Sequence, residues 1–136
     1  MFVCIRYGTF YHIYNRDCYI LSYLFGYKIK ELNIKDRECG FPITALNKVM
    51  AKLEEKKINY LVLDRRNNYE VDYKEDFKNS NQYDILFKYA NRYVIYKKRI
   101  DNINEFLNSN IENTEISKII ASMEDIIYER RKVQSN

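Results

Sequence analysis

The stretch Tyr7-Gly-Thr-Phe-Tyr-His-Ile-Tyr-Asn-Arg-Asp17 decides how the amino-terminal half of the chain folds. β-branched and aromatic residues dominate residues 2–14, and their alternation favours a β-strand. Gly8 lies within this run, where it indicates a bulge or a close backbone approach and can divide the run into two strands. Asn15 is in position to cap a following helix, with Asp17 in the first turn. The stretch therefore predicts a strand that leads directly into a helix.

The elements that follow alternate between helix and strand patterns. In order along the chain they are a helix that ends at Gly26, a strand over 27–34, a loop over 35–42, a helix capped by Thr44, a buried strand over 59–65 and a strand over 69–73. Asn67-Asn68 makes a turn between the last two strands, which predicts a β-hairpin. We therefore predict the α/β (α+β) class, with a small mixed β-sheet flanked by helices.

A different pattern begins near residue 79, where apolar side chains recur at heptad spacing. The stripe consists of Leu86, Tyr89, Tyr93, Tyr96, Ile100, Ile103 and Leu107. A polar turn over 108–114 separates it from a last helix, and we predict that the two helices form an αα-hairpin. The sheet domain is then 1–77 and the helical hairpin 78–136. The stripe must bury its apolar area against the first domain, its partner helix or another copy of the chain.

Charge is distributed unevenly along the 136 residues, although the net charge of +4 is modest. Residues 1–66 carry 12 lysines and arginines against 7 acidic residues, a net charge of +5. Residues 67–136 carry 11 against 12, a net charge of −1. A basic amino-terminal half favours an anionic partner for that half.

Composition also bears on where the protein acts. The longest apolar runs are too short to cross a bilayer, so no membrane partner is expected. The start of the chain, Met1–Arg6, lacks the basic and apolar regions of a secretory leader. The three cysteines are odd in number and form no CxxC pair, which favours reduced thiols. We therefore expect a cytoplasmic protein.

The chain lacks the short motifs that carry common enzymatic chemistries. It has no P-loop and no GxGxxG sequence, and His12 is its single histidine, so an HExxH zinc site is excluded. We predict a protein that is not an enzyme and that needs no metal or cofactor. The 14 tyrosines have two interpretations: a stacking platform for nucleic acid, or amphipathic core in the carboxyl-terminal helices.

Two segments of the sheet domain carry an ordered set of motifs. The first segment, GTFYHIYNRDCYILSYLFGYKI, has Gly8, Phe10, Tyr11, Tyr14 and Asp17 at its motif positions. The second, ECGFPITALNKVMAKLEEKKINYLVLD, has Gly40, Pro42, Ala45 and Leu53. With this order and spacing, residues 6–65 resemble the amino-terminal mismatch-recognition domain, domain I, of MutS proteins.

The resemblance implies binding to mismatched or distorted DNA. In that family the Phe of the first motif is wedged into the duplex and stacks on the mispaired base, so the resemblance implies that Phe10 is the wedge. His12 stands where the family has a Glu that hydrogen-bonds this base, and an imidazole does not reproduce the carboxylate contact. Candidate phosphate contacts are Arg6, Lys28, Lys30, Arg65 and Arg66.

Alternatives stay open for these residues and for the function. Phe10 and His12 are equally compatible with packed strand positions, and Arg65-Arg66 with a solvated hairpin end. The expected partner is DNA, with RNA as the alternative. The rival function is an adaptor that keeps the MutS domain I fold and docks or dimerises through the helical hairpin. Such an adaptor would serve a larger protein complex, for example as an accessory factor to a reverse transcriptase or a repair complex.

Overall fold

A computed structural model of the chain describes residues 1–78 and 80–135. These residues form a six-stranded mixed sheet and four α-helices. The elements are β1 Phe2–Tyr7, β2 Phe10–Tyr14, α1 Arg16–Phe25, β3 Lys30–Glu31, β4 Arg37–Pro42, α2 Leu46–Glu55, β5 Tyr60–Asp64, β6 Glu70–Glu75, α3 Gln82–Ser109 and α4 Ile116–Ser135. The strand order is β3-β4-β2-β1-β5-β6, with β1 parallel to β5 and the other neighbours antiparallel. The predicted α+β class with a small mixed sheet is confirmed.

A tight hairpin divides the predicted long strand into β1 and β2. Tyr7 pairs with Phe10, so Gly8 and Thr9 form a two-residue turn. Gly8 has a φ of 66°, and type II′ hairpin turns favour glycine at this first turn position because it has a positive φ. Of the roles predicted for Gly8, the division of the run into two strands is the one that the structure has.

The loop predicted over 35–42 is wrong, because Arg37–Pro42 forms strand β4 between β3 and β2. Cys39 and Phe41 are buried while their neighbours are not, so the segment has a strand alternation that its glycine and proline obscure. By pairing with β4, strand β2 satisfies the backbone groups of its second edge. Of the strand predicted over 27–34, the two residues Lys30–Glu31 form a strand, β3.

Neither residue predicted to cap a helix makes a capping side-chain hydrogen bond, although Asn15 does stand at the N-cap position of α1. The Asn15 side chain makes no capping hydrogen bond to α1, because its Oδ1 accepts one from the backbone N–H of Arg37 at 2.8 Å. Thr44 lies inside a 3₁₀ turn, Ile43–Ala45, and α2 begins only at Leu46. Asn15 thus directly precedes α1 while its side chain bonds to the start of β4, and Thr44 lies in the turn before α2.

The core lies on one face of the sheet, where α1, α2 and the start of α3 pack. Its fully buried side chains include Phe2, Cys4, Ile13, Cys18, Ile20, Leu21, Phe41, Val49, Leu53 and Val62. Since side chains alternate along a strand, the residues between them lie on the other face. We call this second face the open face, and it is formed by Val3, Ile5, Tyr7, Phe10, His12, Tyr14, Glu38, Leu61 and Leu63.

Contacts divide the chain into two compact units, Met1–Tyr96 and the residues from Lys97 onward. The first unit includes the start of α3. The residues of α3 that pack against its core are Tyr83, Leu86, Phe87 and Ala90. The Tyr83 hydroxyl also donates a hydrogen bond to the carboxylate of Asp17 in α1. We predict a domain boundary at residue 78 from the sequence, whereas the compact units divide at residue 97 because the start of α3 packs on the core.

The second unit buries few apolar side chains. Among its described residues, Ile116 is the one buried apolar side chain. The exposed ones are Ile100, Ile103, Phe106, Ile111, Ile119, Ile120, Ile126, Ile127, Tyr128 and Val133. In the first unit, the heptad positions Tyr89, Tyr93 and Tyr96 are likewise exposed, so the stripe predicted from the sequence is largely uncovered. None of the helices in the described part of the chain is both long enough and apolar enough to span a membrane.

Candidate nucleic-acid interface

Phe10 is the first residue of β2 and lies on the open face. Its side chain is 49% exposed and is not part of the core cluster among the described residues. Its neighbours in register are Tyr7 on β1 and Pro42 on β4. The Gly8-Thr9 turn therefore places a large aromatic ring at the end of the sheet, where solvent reaches it.

His12 is half-buried two residues further along β2. Its Nδ1 lies 2.5 Å from Oε1 of Glu38 on the adjacent strand β4. Because an ionised carboxylate only accepts hydrogen bonds, the imidazole is the donor. The imidazole ring also lies 6.0 Å from the Tyr7 ring and 6.5 Å from the Tyr14 ring, measured between centroids. His12 is thus a satisfied strand histidine that positions a carboxylate on the open face.

A cavity of about 310 Å³ opens on this face. The residues that line it are Ile5, Tyr7, His12, Tyr14, Glu38, Arg65 and Tyr69. Four aromatic rings, one carboxylate and one guanidinium therefore surround a space that lies within the first unit. The size is at the small end of the range for ligand sites in proteins.

Arg65 is the predicted basic residue that shares this cavity with His12. Its guanidinium carbon lies 4.5 Å from the centroid of the Tyr7 ring, a cation–π geometry. The residue itself is exposed, so the guanidinium has access to solvent on its other side. Arg65 can therefore contact a phosphate group near the aromatic residues.

The side chains of Arg66 and Arg6 form hydrogen bonds to protein groups that do not line the cavity. Arg66 forms two hydrogen bonds with the buried carboxylate of Asp64, at 3.1 and 2.9 Å. The hydrogen bond from Arg66 lowers the pKa of Asp64, so this pair is ionised at neutral pH. Arg6 donates from Nε to the carbonyl oxygen of Gly8 at 3.3 Å. These bonds hold the backbone near the turns that join β1 to β2 and β5 to β6. Because their guanidinium groups are already bonded, Arg66 and Arg6 are poorer candidates for phosphate contacts than Arg65.

The two predicted lysines lie near the opposite edge of the sheet. Lys28 is exposed in the segment between α1 and β3. Lys30 pairs in register with Glu38, and directly opposite residues share one face of a sheet, so Lys30 belongs to the open face. The open face thus carries Lys30 at one side and Arg65 at the other.

Sequence analysis missed Glu38 and Tyr69 as site residues. Glu38 was assigned to a loop, so its register with Tyr14 and its contact with His12 were not visible. The signal that was available is the alternation of Glu38 and Gly40 with the buried Cys39 and Phe41. For Tyr69, whose φ is 60°, no sequence pattern indicates which face its ring reaches.

The three cysteine thiols are buried. Burial raises the pKa of the Cys18 thiol to about 12 and that of the Cys39 thiol to about 11, so both stay protonated near neutral pH. Within residues 1–78 and 80–135, no group of three or more His, Cys, Asp or Glu side chains is arranged to hold a metal ion.

No family model, curated protein or solved structure matches this chain in three comparisons with known proteins. The resemblance to MutS domain I therefore rests on the sequence motifs around Phe10 and Pro42.

Proposed function

We propose that this protein is a non-enzymatic nucleic-acid-binding module of the MutS domain I type, which contacts mismatched or distorted DNA through its open face. The observation that carries the proposal is the exposure of the Phe10 ring beside Tyr7 and the His12–Glu38 pair. Aromatic rings on an accessible sheet face stack on bases, and each such contact contributes about 1–3 kcal/mol.

The proposed mechanism is insertion of Phe10 between base steps. Unstacking a step costs a few kcal/mol, and the cost is lowest where a mispair already weakens stacking. A wedge of this kind therefore binds distorted DNA more tightly than a perfect duplex. Since His12 Nδ1 is already bonded to Glu38, the polar contact to the base comes from the His12–Glu38 pair and not from a free imidazole.

Phosphate contacts are assigned to Arg65 and Lys30. Both side chains are exposed and both belong to the face that carries Phe10. Arg66 is assigned a structural role because its guanidinium is bonded to Asp64. The net charge of +5 in residues 1–66, which contain Phe10, Lys30 and Arg65, supports an anionic partner for this part of the chain.

The test is a comparison of Phe10→Ala with the unchanged protein on three probes: a duplex with one mispair, the matched duplex and a single strand. At about 50 mM salt, we expect Phe10→Ala to weaken binding to the mispaired duplex by about tenfold, and the matched duplex by less. Phe106→Ala, an exposed Phe of the second unit, serves as the matched control and should leave all three affinities unchanged. Fluorescence anisotropy measures each affinity.

Two outcomes contradict the proposal. If no probe binds, the protein is not a nucleic-acid-binding module. If Phe10→Ala weakens all probes equally and also lowers the unfolding temperature, Phe10 acts through stability. A salt titration adds an independent check, because each lost phosphate contact reduces the slope of log affinity against log salt by about 0.9 on duplex DNA. Arg65→Gln should show this change, and Arg66→Gln should show less.

A second function is favoured by a different observation, the exposed apolar side chains from Lys97 onward. An adaptor that docks or dimerises through α3 and α4, arranged as a helical hairpin, would cover them. The full chain should then sediment as a dimer or bind a protein partner, and Ile103→Ser combined with Ile126→Ser should weaken that association. A full chain that sediments as a monomer and finds no protein partner would remove the basis for this alternative.

A further inference from the structure

The cavity on the open face has a more specific chemistry than a flat stacking surface. Rings of Tyr7, Tyr14 and Tyr69 line it together with the His12–Glu38 pair, and its volume is about 310 Å³. Planar ligands that stack on rings fit such walls. A cationic ligand fits less well, because the positively charged guanidinium of Arg65 already lies over the face of the Tyr7 ring.

We propose that this cavity binds one unstacked nucleobase and prefers guanine, an inference that rests on the proposed nucleic-acid-binding function. Proteins recognise unstacked bases by stacking them on aromatic side chains and hydrogen-bonding their Watson–Crick edges. In this cavity the rings supply the stacking, and Glu38 supplies the hydrogen-bond acceptor at the wall.

The preference follows from the acceptor-only character of an ionised carboxylate. The bond from His12 engages Oε1 of Glu38 and holds the carboxylate in place, while the carboxylate keeps further acceptor sites and is 24% exposed. Guanine presents two adjacent donors, N1–H and the N2 amino group. Adenine and cytosine present one amino group, and thymine presents a single N–H between two carbonyl oxygens, which a carboxylate repels.

Arg65 adds a contact that depends on the nucleotide backbone and not on the base. Its exposed guanidinium lies beside the cavity and can meet the phosphate of the bound nucleotide. Base preference therefore depends on Glu38, whereas the overall affinity depends on Arg65 and on the rings.

The experiment measures binding of the full chain to oligothymidylates of about ten nucleotides that carry one central dG, dA, dC or dT, at about 50 mM salt. We expect the dG probe to bind about tenfold more tightly than the dT probe, as for other two-donor base contacts. Glu38→Gln replaces one acceptor oxygen with a donor, so the ratio should fall toward one. Glu55→Gln, on α2, is the matched control and should leave the ratio unchanged.

A second variant keeps the test informative if Glu38→Gln is poorly folded. Tyr69→Leu removes an exposed ring from the cavity wall and should weaken all four probes by a similar factor, about tenfold. Thermal unfolding checks that both variants are folded.

The outcomes separate this inference from the proposed function. Equal affinity for all four probes overturns guanine binding in the cavity while nucleic-acid binding stands. A dG preference that survives Glu38→Gln places base recognition elsewhere and also overturns the inference. If neither these probes nor the duplex probes bind, both proposals are wrong.

Discussion

The sheet unit encloses a core of apolar side chains, whereas the helical unit buries a single one among its described residues. In the first unit, Phe2, Ile13 and Phe41 are completely buried. In the second unit, Phe106 is 51% and Ile126 63% exposed. Both regions have regular secondary structure, so the difference lies in burial and not in the formation of helices or strands.

This difference indicates that the two units derive stability from different sources. A six-stranded sheet with helices on one face encloses a core within one chain. Amphipathic helices without an enclosed core gain stability only when their apolar residues are covered. The first unit therefore has its own core on one side of the sheet, whereas the apolar side chains of the second unit are largely exposed.

The largest expected effect comes from truncating one Phe in each unit. Phe41→Ala removes a fully buried ring and should lower the free energy of unfolding by about 3–5 kcal/mol. Phe106→Ala removes an exposed ring and should change it by no more than about 0.5 kcal/mol. Urea denaturation at low protein concentration measures both. Similar losses in the two variants would break the comparison, because they would show that Phe106 is covered in solution.

Local patterns in the sequence predicted much of this fold. The apolar run over 59–65 indicated the buried strand β5. Alternation indicated the strand over 2–14 that contains β1 and β2, and also the hairpin to β6. It failed for β4 because Gly40 and Pro42 are typical of loops, although β2 needs a second neighbour to satisfy its backbone groups. Such pairing is a property of the whole sheet and is not visible in a short window.

Local patterns in the sequence likewise predicted some residues of the candidate site and not their partners. Phe10 and His12 follow from the alternation of β2, which places them on one face. The partner of His12 was not predictable, because Glu38 is 26 residues away and its strand was assigned to a loop. The pairing of Arg66 with Asp64 was also missed, since two basic residues before a turn are equally typical of a solvated end.

The next largest effect on stability is expected from the hydrogen bond between Tyr83 in α3 and Asp17 in α1. Burial raises the pKa of Asp17, and the hydrogen bond from Tyr83 opposes this by favouring the ionised form. Tyr83→Phe removes that bond and should cost about 1–3 kcal/mol at neutral pH. Tyr89→Phe, which removes an exposed hydroxyl from the same helix, should cost almost nothing.

The loss in Tyr83→Phe should depend on pH with a defined sign. Because the folded-state pKa of Asp17 is raised, its contribution to stability is fully present below its unfolded-state pKa and is lost as the pH rises through the folded value. Without the Tyr83 hydroxyl, ionised Asp17 is less favourable still. Urea denaturation should therefore show a larger loss at neutral than at acidic pH, and an equal loss at both would contradict this account.

Backbone conformation should give a smaller effect in the sheet unit. Gly26 ends α1 with a φ of 77° and donates its N–H to the Ser22 carbonyl. An added Cβ meets no atom within 4 Å, so the cost of Gly26→Ala is conformational, about 1–2 kcal/mol. Gly26→Asn should cost less because Asn tolerates the left-handed conformation. Thermal unfolding measures both, and equal losses would show that side-chain contacts contribute.

Phe10→Ala should have the smallest effect on stability and provides the sharpest test of the comparison. The ring lies outside the buried core of the first unit, so the free energy of unfolding should change by no more than about 0.5 kcal/mol. Phe106→Ala should match it in urea denaturation, although the two rings belong to different units. If Phe10→Ala instead costs more than about 1 kcal/mol, the Phe10 ring supports the sheet, and its exposure no longer favours a role in binding.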